Sequence, residues 1–229
     1  MEDNMKFYLG RVPSPYDPRD YNLSEFIPKG VMKLSLNLSR NWPFNAEPLY
    51  QGETPHCVGF SMANFGINTP VETPYSNETG HAFYYMCKIL DGEPDAETGS
   101  NIRSAAKTLK TLGRINAYAF ASNMTVIKYW LLNRGPMIAG TIWTLDMFTP
   151  DKDNIIHPTG EIAGGHAYLL NEWTRDGYIG IQNSWNGYWG IKGKAYIYYK
   201  DFEKILRQYG EVLASTELPE RKTLTFCKR

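Results

Sequence analysis

The stretch Gly164-Gly165-His166-Ala167-Tyr168-Leu169-Leu170, followed by Gln182-Asn183-Ser184-Trp185-Asn186-Gly187-Tyr188-Trp189-Gly190, decides how the rest of the chain is read. The first block sets a histidine at the head of an apolar strand. The paired glycines before it carry no Cβ, so backbone or ligand can come close. The second block ends the next strand in a loop rich in glycine and tryptophan. Each block alone also fits plain packing, as a hydrogen-bonded core histidine and an aromatic-stabilised turn.

Working outward, the pattern after Pro136 is that of strands, at residues 137–143, 166–173, 178–183 and 194–199, with Asp176-Gly177 as a hairpin turn. Before Pro136 the pattern is helical. Helices are expected at 57–68, 79–90, 100–112 and 123–133, with Ser100 and Asn123 as caps and Gly92 and Gly113 as stops. A last helix is expected at 201–208, and the alternation at 34–38 reads as a short strand. Helices early and strands late predict an α+β protein of two unlike lobes, with a ligand cleft between them.

Composition narrows the classes. The 229 residues are 42% hydrophobic and 21% charged with net charge +0, which gives no general attraction to nucleic acid or anionic membrane. No apolar run approaches the roughly 18 residues of a membrane span. Residues 1–6 lack the apolar core of a secretory leader. The three cysteines, Cys57, Cys87 and Cys227, are too few and odd in number for a disulfide scaffold. These features lead to the expectation of a reducing, cytoplasmic or virion-associated location. No zinc spacing, phosphate loop or dinucleotide fingerprint occurs, so neither metal nor cofactor is expected.

Cys57 stands just after Pro55 at the start of an expected helix, where unpaired amides stabilise a thiolate, the reactive form of cysteine. That alone is weak, because half-buried helical cysteines usually serve packing. Taken together, Gln51 six positions before a helix-leading Cys57, the Gly-His-Ala block and the Asn-Ser-Trp…Trp-Gly block resemble the papain family of cysteine peptidases, in that family's order. Glu97-Thr98-Gly99-Ser100-Asn101-Ile102-Arg103 is similar to the glycine segment before a helix in prokaryotic members, and a prokaryotic or phage-type member is the expectation. Arg134-Gly135-Pro136-Met137-Ile138 is similar to the start of a family strand. The likeness runs from about residue 34 to 202.

The resemblance implies a papain-like fold, with a helical left lobe, an antiparallel β-barrel-like right lobe and the active site in the cleft. It divides the chain into an extended arm (1–33), a peptidase domain (34–215, helical to about 120 and β beyond) and a tail (216–229). It implies a thiolate–imidazolium pair of Cys57 and His166, with Asn183 orienting the imidazole and Trp185 shielding that bond. The oxyanion would fall to the Cys57 amide and the Gln51 side chain. Gly99 and Ser100 would bind substrate backbone, and Gly140, Gly164 and Gly165 would border the pocket for the residue preceding the cleaved one. The partner is then a peptide or protein substrate. A structural or assembly role for an idle papain fold, and a transpeptidase or exopeptidase variant, stay open. The block Thr54-Pro55-His56-Cys57-Val58 departs from the family's Cys-Gly-Ser/Ala-Cys-Trp/Tyr signature by lacking the upstream cysteine and the aromatic. His166 and Asn183 also follow the cysteine by less than the usual separation of about 130–150 residues. His56 and His81 read as surface histidines, and Cys87 and Cys227 as incidental.

The arm carries Pro13, Pro15, Pro18 and Pro28 with Phe7, Tyr8, Tyr16 and Tyr21. The prolines lower the entropy lost on ordering, and the rings supply apolar area. It should therefore pack on the body. Having no helix to fill a cleft, it is expected along the outside as a brace, with a cleft-blocking course as the alternative.

Overall fold

The computed structural model describes residues 7–28, 38–44 and 46–219. Three helices, α1 (Cys57–Ile67), α2 (Asn77–Asp91) and α3 (Ile102–Thr111), pack on one another to form one lobe. The other lobe is built on an antiparallel sheet of β1 (Arg40–Asn41), β2 (Ala117–Ala121), β3 (Met137–Thr144), β4 (Ile162–Trp173), β5 (Tyr178–Gln182), β6 (Lys194–Tyr198) and β7 (Glu211–Glu217). Its strand order is β2-β7-β3-β4-β5-β6, with β1 paired to β4. The expected barrel is thus an open sheet, its path ending at β2 and β6. Two more helices, α4 (Met124–Asn133) and α5 (Tyr199–Leu206), pack on the sheet.

The central strands divide two cores. Side chains alternate across a strand, so one strand can feed both. Met137, Ala139, Tyr168, Leu170, Val212 and Ala214 face the core under α4 and α5. Ile138, Ala167, Leu169 and Leu213 face the core of the helical lobe. Strands β3 and β4 therefore form the wall against which α1 is pressed, while β7 meets α3.

Helix boundaries follow local chemistry. α2 starts earlier than the spacing suggested, because Ser76 and Thr79 form a capping box, and it stops at Gly92 in the left-handed region. The cap of α3 is Asn101, whose side chain accepts from the Ser104 amide; the expected cap, Ser100, instead donates to Asp91. Asn123 caps α4 as expected. β4 begins at Ile162, so His166 lies inside the strand rather than at its head. Strands β2 and β7 were not anticipated, and β7 runs to Glu217, into the expected tail. The expected strand at 34–38 falls, except for Leu38, outside the described residues, as does Cys227. Among the described residues no helix is long and apolar enough to cross a membrane.

The arm crosses the molecule in two stretches. Residues 7–12 run through the cleft between the lobes, which overturns the expectation of a purely external brace. Farther on, the 3-10 turn Leu23–Phe26, capped by Asn22, seats Leu23 and Ile27 in the β-lobe core.

Candidate active site

Cys57 is the first residue of α1, so its amide has no partner one turn back. The helix is wholly buried, and a polar network fixes it to the strands below. Asn68 donates to Gln182 at 2.7 Å, Gln182 donates to Asn64 at 3.0 Å, and Asn64 donates to the Asn183 carbonyl at 3.3 Å. Buried polar groups must be satisfied, and here satisfying them sets the register between α1 and the end of β5.

The Cys57 thiol is fully buried and lies against the backbone of Ala167, the neighbour of His166 on β4. The His166 ring meets Asn183 Oδ1 through Nε2 at 2.8 Å. Asn183 Oδ1 also accepts the Ser184 amide at 2.8 Å, which identifies that atom as the oxygen. An oxygen can only accept, so neutral His166 carries its proton on Nε2 and keeps a lone pair on Nδ1. Nδ1 is buried and has no partner among the described residues. Trp185 stacks on the imidazole with ring centroids 4.4 Å apart, and Trp143 meets it edge-on at 4.9 Å. The two indoles keep water from the His166–Asn183 bond.

Gln51 is held by Ser184, which donates to its Oε1 at 2.7 Å, while the Ser184 carbonyl receives the Gln51 amide. Its Nε2 donates to the carbonyls of Thr54 at 2.7 Å and Tyr8 at 3.1 Å. The side-chain amide thus points into the cleft beside the start of α1.

The arm occupies the remaining space. Phe7 stacks on Trp185 at 4.7 Å, and the Tyr8 carbonyl accepts from Trp185 Nε1 at 3.3 Å. The Gly10 and Arg11 amides both donate to the Gly165 carbonyl, at 3.1 and 2.9 Å. Ser100 donates to the Gly10 carbonyl at 2.8 Å and accepts the Val12 amide at 2.9 Å, a parallel bridge. A Cβ on Gly10 would lie 2.0 Å from the Pro55 carbonyl oxygen, and one on Gly99 would lie 2.4 Å from the Gly10 oxygen. Gly99, Ser100, Gly165 and Trp185, the expected substrate contacts, are therefore all in contact with residues 7–12.

Covered in this way, the thiol and imidazole are both held neutral. Burial pushes the Cys57 thiol up to about 12, against hydrogen bonding from the backbone at Ala167, Gly10 and Val58. Burial presses the His166 imidazole down to about 3, opposed by its bond to Asn183. The thiolate–imidazolium pair implied by the sequence is disfavoured here because burial penalises both charges.

Sequence reading placed His56 wrongly and missed other residues. His56 is buried, with Nδ1 2.7 Å from His81 Nδ1 and Nε2 3.0 Å from Glu97. It stacks on Tyr84 at 3.6 Å, so it is no surface histidine. Ser184 and Trp143 were missed as supports of Gln51 and His166; the Asn-Ser-Trp block contained the first, and nothing local marked the second. Cys87 is buried among Met62 and Thr108, away from the cleft.

A buried cysteine at a helix start, a histidine on the facing strand and an asparagine holding its far nitrogen, set between a helical lobe and an antiparallel sheet, define a cysteine peptidase of the papain class. The papain family cysteine protease model matches residues 51–209, so the chain belongs to that family. Cathepsin B-like cysteine proteinase 3 of Ostertagia ostertagi is 36% identical over 143 residues, 59% of this chain and 81% of that protein. Cathepsin B-like cysteine proteinase 4 of Caenorhabditis elegans is 28% identical over 160 residues, 66% of this chain but only 47% of its own length. In fold, the chain is similar to xylellain, a cysteine protease from Xylella fastidiosa, with a TM-score of 0.75 at 17% identity, covering 90% of this chain and 94% of that one.

Proposed function

We propose that the chain hydrolyses peptide bonds with Cys57 as nucleophile, and that the form described here is latent, closed by residues 7–12. With the arm withdrawn, His166 Nδ1 takes the Cys57 proton and the thiolate attacks the substrate carbonyl carbon. The oxyanion is received by the Cys57 amide and Gln51 Nε2. The imidazolium then gives its proton to the leaving amine, and the same nitrogen activates the water that releases the acyl group. Asn183 acts through His166, holding the tautomer with its lone pair on Nδ1. The observation that carries this reading is that Asn183 Oδ1, fixed by the Ser184 amide, fills the other ring nitrogen and leaves Nδ1 with no partner among the described residues.

Latency is supported by what faces the thiol. It meets the backbone amide of Gly10, so the arm itself lies against the thiol. Tyr8 meanwhile takes the Gln51 donor. Kinetics on one peptide substrate test the roles. Cys57→Ala and His166→Ala should abolish turnover, Asn183→Ala should leave a residue of it, and Gln51→Ala should cost roughly 10²–10³-fold in kcat. Activity near that of wild type in His166→Ala would overturn the assignment.

A further inference from the structure

We propose that His56, the residue before the nucleophile, is a positioning residue: a hydrogen-bonded relay of Glu97, His56 and His81 ties the start of α1 to the loop that carries Ser100, and so fixes the edge on which a peptide strand is held beside the thiol. The inference rests on the peptidase reading above and adds to it a residue that neither touches substrate nor moves a proton in the reaction.

His56 occupies the cap position of α1, yet its side chain makes no capping hydrogen bond. It is buried and stacked on Tyr84 of α2, and both ring nitrogens serve other elements. Nε2 lies 3.0 Å from Glu97 Oε2, and Nδ1 lies 2.7 Å from His81 Nδ1. These contacts place the hydrogens. The bond from His56 holds the Glu97 carboxyl below its usual range, so at neutral pH it is ionised and can only accept. His56 Nε2 therefore carries a hydrogen. Burial lowers the His56 pKa more than Glu97 raises it, so the ring is neutral and its Nδ1 is a lone pair. Two Nδ1 atoms at 2.7 Å share one hydrogen, and it must come from His81. The relay thus donates in one direction, from His81 to His56 to Glu97.

Each member sits on a different element. His81 is on α2, His56 precedes α1, and Glu97 lies three residues before Ser100. Ser100 donates to the Gly10 carbonyl and accepts the Val12 amide, so its edge holds the arm, and a substrate strand once the arm withdraws. Other bonds pin this loop to α2. Tyr84 donates to the carbonyls of Ala96 at 3.1 Å and Thr98 at 2.6 Å, and buried Lys88 donates to the Gly99 carbonyl at 3.2 Å. Those bonds fix the loop on α2, whereas the Glu97–His56 bond fixes it against the residue before Cys57. Packing on Tyr84 would be served by any flat ring and needs neither hydrogen bond. Acid gives the sign of the effect. A proton added at His81 Nε2 leaves the shared hydrogen in place, but one added at His56 Nδ1 sets two N–H groups and two positive rings against each other. With its folded pKa depressed, His56 keeps the relay intact above pH 6.5 and loses it as pH falls. The other titratable groups around the relay are Tyr84, Tyr85, which donates to Glu97 at 3.2 Å, and Glu78 in the first turn of α2, which feels the charge of His81.

The test uses the full chain with Glu97→Ala, which removes the far end of the relay at a side chain 60% exposed and leaves the core untouched. Glu97→Gln is its companion, because the amide oxygen can still accept from His56. Residue-resolved amide hydrogen exchange is compared at neutral pH and in acid. At neutral pH Glu97→Ala should speed exchange of the Ser100 and Val12 amides roughly threefold to fivefold, the range of an ion pair with one exposed partner, while the amides of β4 keep the wild-type rate. Glu97→Gln should restore most of the protection, and the gap between Glu97→Ala and wild type should close in acid. Ring nitrogen chemical shifts should place hydrogens on His56 Nε2 and His81 Nδ1. Unchanged exchange at Ser100 and Val12 in Glu97→Ala, equal acceleration throughout β4, no rescue by glutamine, a gap that persists in acid, or the opposite tautomers would overturn the proposal. Kinetics are read in chains that also carry Gly10→Val, whose side chain meets the Pro55 carbonyl and displaces the arm. There Glu97→Ala should raise KM by a similar factor with kcat unchanged, and an unchanged KM with turnover intact also overturns the proposal. The exchange effects as described, with no turnover in any chain, would instead overturn the peptidase reading and leave the relay standing.

Discussion

The two stretches of the arm hold the body by opposite physics. Residues 7–12 are tied by backbone hydrogen bonds to Gly165 and Ser100, one ion pair at Glu211, and Phe7 and Leu9, which are only partly buried against the rim of the β-lobe core. Those are interactions that water or a peptide can replace, and their net contribution is modest, about 0.5–1.5 kcal/mol per hydrogen bond. Residues 20–27 are tied by burial, with Leu23 and Ile27 at 0% and 4% exposure in the β-lobe core. Backbone pairing of Tyr21 with Phe120 and the Asp20–Arg103 ion pair add to it. Burial of that kind is lost only when the core opens. The difference teaches that the cleft stretch can detach while the seated stretch remains, so release of the site need not unfold the lobe.

The largest effect that would break this division is expected at Gly10. Its would-be Cβ overlaps the Pro55 carbonyl, so Gly10→Val should expel residues 7–12. Peptide turnover should rise roughly 100-fold or more, equivalent to about 2.7 kcal/mol against docking. The melting temperature should move little, because no core side chain is touched. A drop in melting temperature with no gain in turnover would mean that the two stretches are one unit.

The next effect is expected in the seated stretch. Leu23→Ala should cost about 2–5 kcal/mol. For a chain of this size each kcal/mol lowers the melting temperature by about 2–4 °C. Turnover below the transition should stay near that of the intact chain. Activation by Leu23→Ala, with stability unchanged, would reverse the roles assigned to the two stretches.

pH separates the stretches further, since His166 lies under the first and not the second. Its folded pKa is depressed from 6.5 to about 3. As pH falls below 6.5 the unfolded chain takes up the proton before the folded one. The stability from this group is therefore present above pH 6.5 and is lost as pH falls towards 3, with a slope approaching about 1.4 kcal/mol per pH unit. Melting curves at stepped pH for wild type and His166→Gln check it. The variant should show the shallower acid loss, and parallel curves would contradict the burial of a neutral His166. The smallest effect is expected for Tyr8→Phe, which removes an exposed bond of 2.9 Å to Glu53. It should raise turnover only severalfold, within about 1 kcal/mol. A change as large as that for Gly10→Val would show that the docking is concentrated in one side chain.

Legibility in the sequence followed the range of the interactions. The placement of His166, Asn183 and Trp185 beside one another was readable because they sit in two short blocks on adjacent strands, and that of Cys57 because a helix start is a local event. α4 and its Asn123 cap were readable for the same reason. The cap of α3 was misplaced by one residue because Ser100 and Asn101 both suit that role; Asp91 on α2 takes the Ser100 hydroxyl, a tertiary contact that sequence order hides. β2, Ala117–Ala121, is rich in alanine, a weak strand former, and β7 ends in polar residues, so β2 is a strand by pairing with β7, and β7 by pairing with β2 and β3. The arm's route was not readable. Gly10 and Arg11 carry no periodic signal, and their fit depends on Pro55, Gly140, Gly165 and Glu211, which come together only in the fold.

The central claim is that Cys57 is an activatable nucleophile closed off by residues 7–12. It is tested most directly by residue-resolved iodoacetamide labelling at neutral pH in the intact chain and in Gly10→Val. In the intact chain Cys57 and Cys87, both fully buried, should label slowly. In Gly10→Val, Cys57 alone should accelerate, by roughly 100-fold or more on the scale set above, and His166→Ala added to that chain should remove most of the gain. Rapid labelling of Cys57 in the intact chain, or equally slow labelling of both thiols in Gly10→Val, would contradict it.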